Sequence, residues 1–513
     1  MHVVDPKLSA RKVHELADLA KILERHRAAG QTIVHAHGVF DLLHVGHIRH
    51  LRDAKRMGDI LVVTVTEDIH VNKGPNRPAF TETLRTEALA ALLDVDYVAI
   101  NRAATAVDAI RTLRPDIYVK GPDYRQREGD VTGMIDFEEA VVREVGGRIE
   151  ITDDIMFSSS NLINSHFPSY AENVERYLRD FRTRWSEKDV VDFLDRLSAM
   201  RVVVVGEAIL DEYVYVDPLG KSSKDPVLAV RHERGETYAG GSLAVANHLA
   251  PFCKSVELVT YLGATEGNER FIRSGLRPGV RPNFIYKSDS PTIVKRRYLA
   301  QIQNTKLFEV YHINDTPLDE NEEDQLCTLL EARLGNADAV VVADFGHGLL
   351  GARSREVLAA SGKFMAVNTQ INAANIRFHA ISSYSRADYV CINEGELRLD
   401  ARDRSTPLDR LVEGLSGKLS CNRFLVTRGQ SGVEYFCPSG RYEAPSLASS
   451  VVDRIGAGDA VLAITSACVA ADMPADVVAF IANVIGAQKV ATVGNSVSVD
   501  RVRTIKFIQA LLK

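Results

Sequence analysis

Residues 31–36 form an apolar run that leads into Gly38-Val39-Phe40-Asp41-Leu42-Leu43-His44-Val45-Gly46-His47, and a helical pattern follows over residues 48–55. Strand, glycine turn and helix start in direct succession put a helix N-terminus at the carboxyl end of a strand, where an anion can be held. The alternation continues. Residues 60–65, 96–100, 117–120 and 148–151 read as strands, separated by helical patterns at 83–93, 107–113 and 137–145. An amphipathic helix over residues 8–29, with Leu8, Val13, Leu16, Leu19, Ala20 and Leu23 on its apolar stripe, precedes them and is stopped by Gly30. Such alternation predicts a parallel sheet with helices on both faces.

At 513 residues the chain is too long for one core, so two or three domains are expected. A charged helical stretch over residues 170–200, holding the single tryptophan Trp185, reads as a connector. A second α/β module opens at residues 201–207 and carries a β-rich section from Tyr213 to about Tyr311; alternation resumes at residues 339–344. The expected division is a first domain at 1–166, a connector at 167–199 and a second domain at 200–513. The net charge of −6 gives no support to nucleic-acid or membrane-surface binding. No apolar run reaches a membrane span, and residues 1–6 lack an apolar signal core, so a cytoplasmic protein is expected. Cys253, Cys327, Cys391, Cys421, Cys437 and Cys468 show no metal or redox spacing and read as reduced thiols.

In the first module, His44 and His47 lie three apart on one face of a first helical turn. Two imidazoles beside the positive end of a helix can stabilise charge that builds up at the α-phosphorus of a nucleoside triphosphate. Lys73 stands on the glycine-proline loop of residues 73–78, Lys120-Gly121-Pro122-Asp123-Tyr124 follows a strand, and Ser158-Ser159-Ser160 reads as a hydroxyl-rich turn opening a helix. The first string resembles the H-x-G-H nucleotidyltransferase superfamily. The order G-x-F-D-x-x-H-x-G-H, K-G-x-x-R-P, K-G-x-D-Y, S-[ST]-[ST]-x-x-I over residues 8–166 resembles the nucleotidyltransferase domain of bifunctional ADP-heptose synthases. That resemblance implies that His44 and His47 assist transfer of a nucleotide monophosphate to a sugar 1-phosphate, with release of pyrophosphate. It implies that Lys73 serves the β- and γ-phosphates, and that Gly38, Phe40 and Asp41 shape the nucleotide pocket. Lys120, Gly121, Asp123, Ser158, Ser159 and Ser160 are then nucleotide- or phosphate-binding, and Arg85 faces the acceptor phosphate.

In the second module, Val452-Asp453-Arg454-Ile455-Gly456-Ala457-Gly458-Asp459 precedes an apolar helix. Small residues at 456–458 let backbone N–H groups converge on an anion, and Asp459 can take a proton from a hydroxyl that attacks a γ-phosphate. G-A-G-D resembles the signature of ribokinase-like (PfkB) sugar kinases over residues 200–513. By that resemblance Asp211, Gly240, Gly241 and Arg297 bind substrate. Asn393 and Glu396, in N-x-x-E, serve the metal. Thr427 and Gly429, with Gly456, Ala457 and Gly458, bind nucleotide or phosphate. Four positions depart from that pattern: Arg454 replaces threonine, Ala244 an asparagine, His347 a lysine and Asn368 the aspartate of D-P-K.

The fold expected is α/β: an N-terminal Rossmann-like nucleotidyltransferase domain, then a ribokinase-like α/β domain with a small β-rich lid. The function expected is a bifunctional sugar-phosphate kinase and nucleotidyltransferase that makes a nucleotide-activated, heptose-like sugar. Mg2+ accompanies ATP, or CTP in the transferase; the partners are a sugar phosphate and the nucleoside triphosphate; and the chain pairs as a homodimer through the lid. The alternative reading is a polyol-phosphate (glycerol phosphate-like) cytidylyltransferase whose kinase-like domain binds without catalysis.

Overall fold

The computed structural model describes residues 12–71, 77–121, 134–152, 170–265, 268–300, 305–373, 375–376 and 379–512. The chain divides into two compact units, residues 1–171 with 505–513 and residues 172–504.

The first unit runs α1 (Leu16–Ala28), β1 (Ile33–Gly38), α2 (Val45–Arg56), β2 (Ile60–Thr66), α3 (Glu82–Ala90), β3 (Tyr97–Asn101), α4 (Val107–Leu113), β4 (Ile117–Lys120), α5 (Met134–Glu144) and β5 (Arg148–Ile151). Its five strands are parallel in the order β3-β2-β1-β4-β5. The pleat sends alternate residues to opposite faces. Val34, Ala36, Leu61 and Val63 pack with Leu51 and Leu89 on one side, while Ile33 and Val62 pack with Leu19, Leu23 and Leu113 on the other. All seven residues of β2 are buried, as a strand covered on both faces requires. The strand order reverses direction at β1, so a crevice opens beyond the carboxyl ends of β1 and β4, where ligands bind in open α/β sheets.

Of the helix expected over residues 8–29, the described helix is Leu16–Ala28, and residues 12–15 before it are not helical. Val13 bridges to Val98 of β3, with His14 N–H donating to Val98 at 3.0 Å and Val98 N–H donating to Lys12 at 2.8 Å. A β-branched residue at the open edge of a sheet finds backbone partners there that a helix would deny it.

The second unit opens with α6 (Glu172–Arg182) and α7 (Glu187–Asp195). The main sheet follows with β6 (Arg201–Gly206), after which β7 (Ala208–Lys221) and β8 (Leu228–Gly241) form a long hairpin. Next come α8 (Ser242–Leu249), β9 (Ser255–Gly263), α9 (Glu269–Gly275), β10 (Val280–Lys287), β11 (Ile293–Ala300) and β12 (Thr305–His312). Alternation resumes with α10 (Glu320–Leu334), β13 (Ala339–Asp344), α11 (Ala352–Ala360), β14 (Phe364–Thr369), β15 (Tyr389–Asn393), α12 (Glu394–Ala401), α13 (Leu408–Leu419) and β16 (Phe424–Thr427). An antiparallel edge, β17 (Val433–Cys437) and β18 (Gly440–Ala444), precedes α14 (Ala457–Ala470), α15 (Ala475–Val490) and α16 (Arg501–Leu512), which starts in this unit and runs past its last residue, 504.

Nine strands form one sheet in the order β10-β9-β6-β13-β14-β15-β16-β17-β18, and four form a smaller one, β12-β11-β7-β8. The β-rich section read from sequence is therefore split. Its β9 and β10 belong to the large sheet, and only β7, β8, β11 and β12 make the small one.

Candidate active sites

In the first unit the chain turns sharply after β1, with Phe40 in a left-handed conformation at φ 50°. His44 is the N-cap of α2, and its Nδ1 accepts the Gly46 N–H at 3.1 Å. That bond leaves the proton of the neutral ring on Nε2. His47 stacks on His44, with centroids 4.0 Å apart, and Phe40 meets the His47 ring edge-on at 5.4 Å. The two imidazoles thus form a stacked pair at the positive end of a helix, at the crevice of the sheet. His50 continues the same stripe one turn on, and its Nδ1 lies 2.8 Å from the Thr152 hydroxyl. Its spacing of three from His47 was the signal available in the sequence.

Asp41 is buried and accepts N–H bonds from Ala79 at 2.6 Å and Phe80 at 3.1 Å, with Arg77 at 3.3 Å. It shapes the pocket by tethering residues 77–80 to the turn. Arg85 requires a correction. It does not face an acceptor phosphate: its side chain is wholly buried. Its guanidinium donates to the carbonyls of Val39 at 2.5 Å, Thr66 at 2.8 Å and Phe80 at 2.9 Å, and pairs with Asp68. It clamps the carboxyl ends of β1 and β2 to the loop that Asp41 also holds. Lys120 is likewise turned inward, paired with Glu138 at 2.5 Å and lying 5.1 Å over the Tyr118 ring. Beneath the site, His37 Nδ1 sits 2.8 Å from the Thr64 hydroxyl, and burial pulls its pKa down to about 3, so it stays neutral. Gly121 ends the strand beside Lys120, whereas Lys73, Asp123, Ser158, Ser159 and Ser160 lie outside the described residues.

In the second unit, Gly456 caps α14 in a left-handed conformation at φ 77°. A Cβ there would collide with Asn495 and would lie 3.2 Å from Cε of Lys489, so glycine is required on two counts. Gly456, Ala457 and Gly458 thus open α14 as a helix N-terminus that can hold an anion. Asp459 sits in that turn, 6% exposed, and its Oδ1 is buried without a hydrogen-bond partner. Burial, with the negative charge of Asp211 next, raises its pKa to about 7. A general base near neutrality is what hydroxyl activation requires.

Asp211 stands on β7 and Arg297 on β11, joined at 2.6 Å, and both are buried. Arg297 also pairs with Glu309 at 3.1 Å, and Asn495 Nδ2 donates to the second Asp211 oxygen at 3.1 Å. A Cβ on Gly240 would strike the Asp211 carboxylate, so the di-glycine with Gly241 is what lets the two strands carry a carboxylate between them. Lys295 lies in register with Asp211 and one step along the same face from Arg297; it is 5% exposed. Neither Lys295 nor Asn495 was read from the sequence.

Asn393 and Thr427 occupy adjacent strand ends, with Asn393 Nδ2 donating to the Thr427 carbonyl at 3.1 Å; Gly429 turns the chain beyond them at φ 56°. Asn393 and Glu396, expected to serve the metal, stand together at the start of α12. The two form a capping box for α12. Asn393 Oδ1 accepts the Gly395 N–H, and the Glu396 oxygens accept from Asn393 N–H at 3.1 Å and Ile371 N–H at 3.2 Å. Each Glu396 oxygen accepts one N–H and keeps a further lone pair, and Asn393 is exposed beside it. Among the described residues no cluster of three His, Cys, Asp or Glu side chains has metal-binding geometry.

Residues 199–501 match the pfkB family carbohydrate kinase profile. The chain belongs to this family. Residues 35–165 match the cytidylyltransferase-like family. The pfkB module resembles D-beta-D-heptose 7-phosphate kinase of Bordetella bronchiseptica, 30% identical over 273 residues, 52% of this chain and 84% of that protein. The first module resembles two proteins named bifunctional protein HldE. One, of Syntrophotalea carbinolica, is 39% identical over 31% of this chain and 32% of its own length. The other, of Geobacter metallireducens, is 41% identical over 32% and 33%. The match thus spans about a third of these bifunctional relatives. Among solved structures, phosphofructokinase-2 of Escherichia coli with fructose-6-phosphate gives a TM-score of 0.48 at 15% identity, over 61% of this chain and 100% of that one.

The four departures in the pfkB module are distributed unevenly. Arg454 is exposed, and Ala244 is buried within α8. Asn368 donates to the Cys391 carbonyl at 2.7 Å. His347 is wholly buried, 2.7 Å from Asp315, and burial pulls its pKa down to about 4. A neutral imidazole therefore stands where the resemblance would have a cation.

Proposed function

We propose that this chain is a two-site enzyme: a carbohydrate kinase that phosphorylates a sugar phosphate, and a nucleotidyltransferase that couples the sugar 1-phosphate to a nucleotide and releases pyrophosphate. The observation that carries it is Asp459, buried beside an anion-binding helix start with one carboxylate oxygen unpartnered and its pKa near neutrality. In the kinase step the acceptor hydroxyl gives its proton to Asp459, its oxygen bonds to the γ-phosphorus, and ADP leaves. Asp211 and Arg297 hold the acceptor; the α14 N-terminus receives the phosphoryl oxygens. In the transferase step a sugar 1-phosphate oxygen attacks the α-phosphorus, while His44 and His47 stabilise the charge that gathers there. ATP serves the kinase, and ATP or CTP the transferase. Mg2+ would accompany both nucleotides and neutralise phosphate charge, with Asn393 and Glu396 the residues that would hold it in the kinase site.

The similarity to heptose kinases and to bifunctional HldE proteins supports a heptose-like acceptor over the polyol-phosphate alternative. The neutral His347 is the feature that argues for an acceptor differing from the standard heptose phosphate. No described helix is long and apolar enough to cross a membrane. We place the enzyme in the cytoplasm, as a homodimer paired through the four-stranded sheet, where Leu219, Leu228 and Phe308 are exposed. The deciding experiment incubates the protein with a panel of sugar phosphates and each nucleoside triphosphate, following ADP and pyrophosphate separately. ADP release that depends on a sugar phosphate, together with pyrophosphate release that depends on a sugar 1-phosphate, supports the proposal; absence of either removes that half.

A further inference from the structure

Lys489 lies near the end of α15, in a helix whose neighbours Val477, Ala479, Phe480, Ile481, Ala482, Val484, Ile485 and Ala487 are all buried apolar residues. It is itself 2% exposed. A lysine is seldom buried this far without a carboxylate ion pair. Its Nζ instead donates to two backbone carbonyls, Gly494 at 2.5 Å and Val497 at 3.1 Å. The same Gly494 is held from its other side, where its N–H donates to Asp453 at 3.0 Å. The stem of Lys489 passes under the Gly456 turn, with Cε 3.2 Å from where a Cβ would stand. Between the two pinned carbonyls sits Asn495. Its Nδ2 reaches Asp211, and its Oδ1 is buried, unpartnered and pressed against Gly456.

These contacts form one chain from Lys489, through the 494–497 loop, to the acceptor carboxylate and the anion-binding turn. We propose that the Lys489 ammonium is the fixed cation of the phosphoryl-transfer site, a positioning residue that braces this loop and sets positive charge beneath the anion-binding turn, so that the kinase needs no monovalent metal ion. The inference rests on the kinase reading given above. Two backbone carbonyls converging on one buried positive charge is the arrangement that an alkali-metal or ammonium ion would otherwise occupy, and here the chain provides the ion covalently.

The surroundings agree. The negative charges of Asp459 on α14, Asp453 before it and Asp211 on β7 act on the ammonium, and His248 on α8 lies within its field. Burial lowers the Lys489 pKa to about 8 despite those three carboxylates. Asp459 in turn feels Asp211, Lys489, Lys295 and Glu396. The positive charge of Lys489 therefore falls away above about pH 8, and with it one of the forces that keep Asp459 ionised.

The test uses the full-length protein, its ATP turnover read with the sugar-phosphate panel in buffer whose only monovalent cation is tetramethylammonium. The unmodified protein is expected to work equally well with and without potassium. Lys489→Ala is expected to lose about a hundredfold in rate, and to recover part of it when ammonium or potassium ions are added. Lys489→Met fills the same space and is expected to lose as much without recovery. In Lys489→Met the alkaline limb of the pH profile disappears and the acid limb moves upward, which a merely structural lysine would not produce. A potassium requirement in the unmodified protein overturns the proposal. So does an active Lys489→Ala in cation-free buffer, or a folded Lys489→Ala that no cation restores. Where Lys489→Ala fails to fold, the cation response of the unmodified protein and the Lys489→Met profile decide. If the unmodified protein turns over no ATP with any sugar phosphate, the kinase reading fails instead. The fixed cation is then judged by calorimetry of ATP binding: about tenfold weaker affinity in Lys489→Ala, restored by ammonium, upholds it, and unchanged affinity ends it.

Discussion

His44 has two roles that separate experimentally. Its Nδ1 caps α2, and its ring stacks on His47 at the helix start. His47→Ala should lower pyrophosphate release by about a hundredfold or more with little change in stability. His44→Ala should do the same and also destabilise the first unit by about 1 kcal/mol, through the lost cap. Both should leave sugar-dependent ADP release intact; near-normal pyrophosphate release by both variants would remove the transferase assignment. Asp459 offers a test in which activity and stability move oppositely. Its folded pKa, about 7, lies above the ordinary 3.8, so its contribution to stability is full below pH 4 and is lost as pH rises through 7. Asp459→Asn should abolish ADP release, since the amide accepts no proton, a loss of about a hundred- to ten-thousandfold. The same variant should melt higher than the unmodified protein, by a margin that grows from pH 4 to 7 and then levels off. A margin that does not change with pH would mean Asp459 is not the buried acid described. His44, His47 and Asp459 are legible in the sequence because each sits in a short string whose spacing dictates a helix start. Lys489 and Asn495 are not, because one basic residue in an apolar helix and one asparagine in a loop carry no local pattern. Their meaning lies in the three-dimensional convergence on Gly456.

Among the elements, the turn from β1 into α2 is held from below by Arg85 on α3. The alternation of strands and helices was enough to predict the parallel sheet and its crevice, but not what α3 does there. An arginine on a helix near a phosphate site reads as a ligand, and only burial shows that its donors are already taken by Val39, Thr66, Phe80 and Asp68. Arg85→Met leaves three carbonyls and a carboxylate without their donor. It should destabilise the first unit by about 3 kcal/mol or more. Denaturant unfolding followed in that unit checks this. A variant of normal stability that has lost only affinity for the sugar phosphate would restore Arg85 to the acceptor site. Glu396, in the second unit, shows that one spacing can serve two purposes. N-x-x-E is also the spacing of a capping box, and the structure uses it as one. The β-rich section shows the converse limit: local strand patterns did not reveal that β9 and β10 join the large sheet while β7, β8, β11 and β12 leave it, because strand partners are chosen over long sequence separations.

At the scale of the whole chain, the question is where one folding unit ends. The sequence suggested a helical connector at residues 167–199 and a kinase beginning at 200. The helices are where the charged pattern placed them, but their apolar faces are not idle. Val174, Leu178 and Phe181 of α6 are buried, Phe181 stacks on Phe480 of α15 with centroids 4.3 Å apart, and Trp185 Nε1 donates to Asp476 at 2.8 Å. Val190 and Leu194 of α7 are buried as well, and Arg501 pairs with Asp195. Phe480 belongs to the same helix as Lys489, so what covers one end of α15 bears on the rigidity of the other. We therefore expect a fragment of residues 172–513 to fold and to keep ATP turnover, and one of residues 196–513 to melt markedly lower. Removing α6 and α7 uncovers Phe480, which loses Phe181, and deletes the buried Val174, Leu178, Val190 and Leu194, each large apolar side chain contributing roughly 1.5–3 kcal/mol. The comparison needs only calorimetric melting of the two fragments side by side. Equal melting temperatures would mean that the two helices ride on the kinase without stabilising it, and would move the boundary back to residue 200.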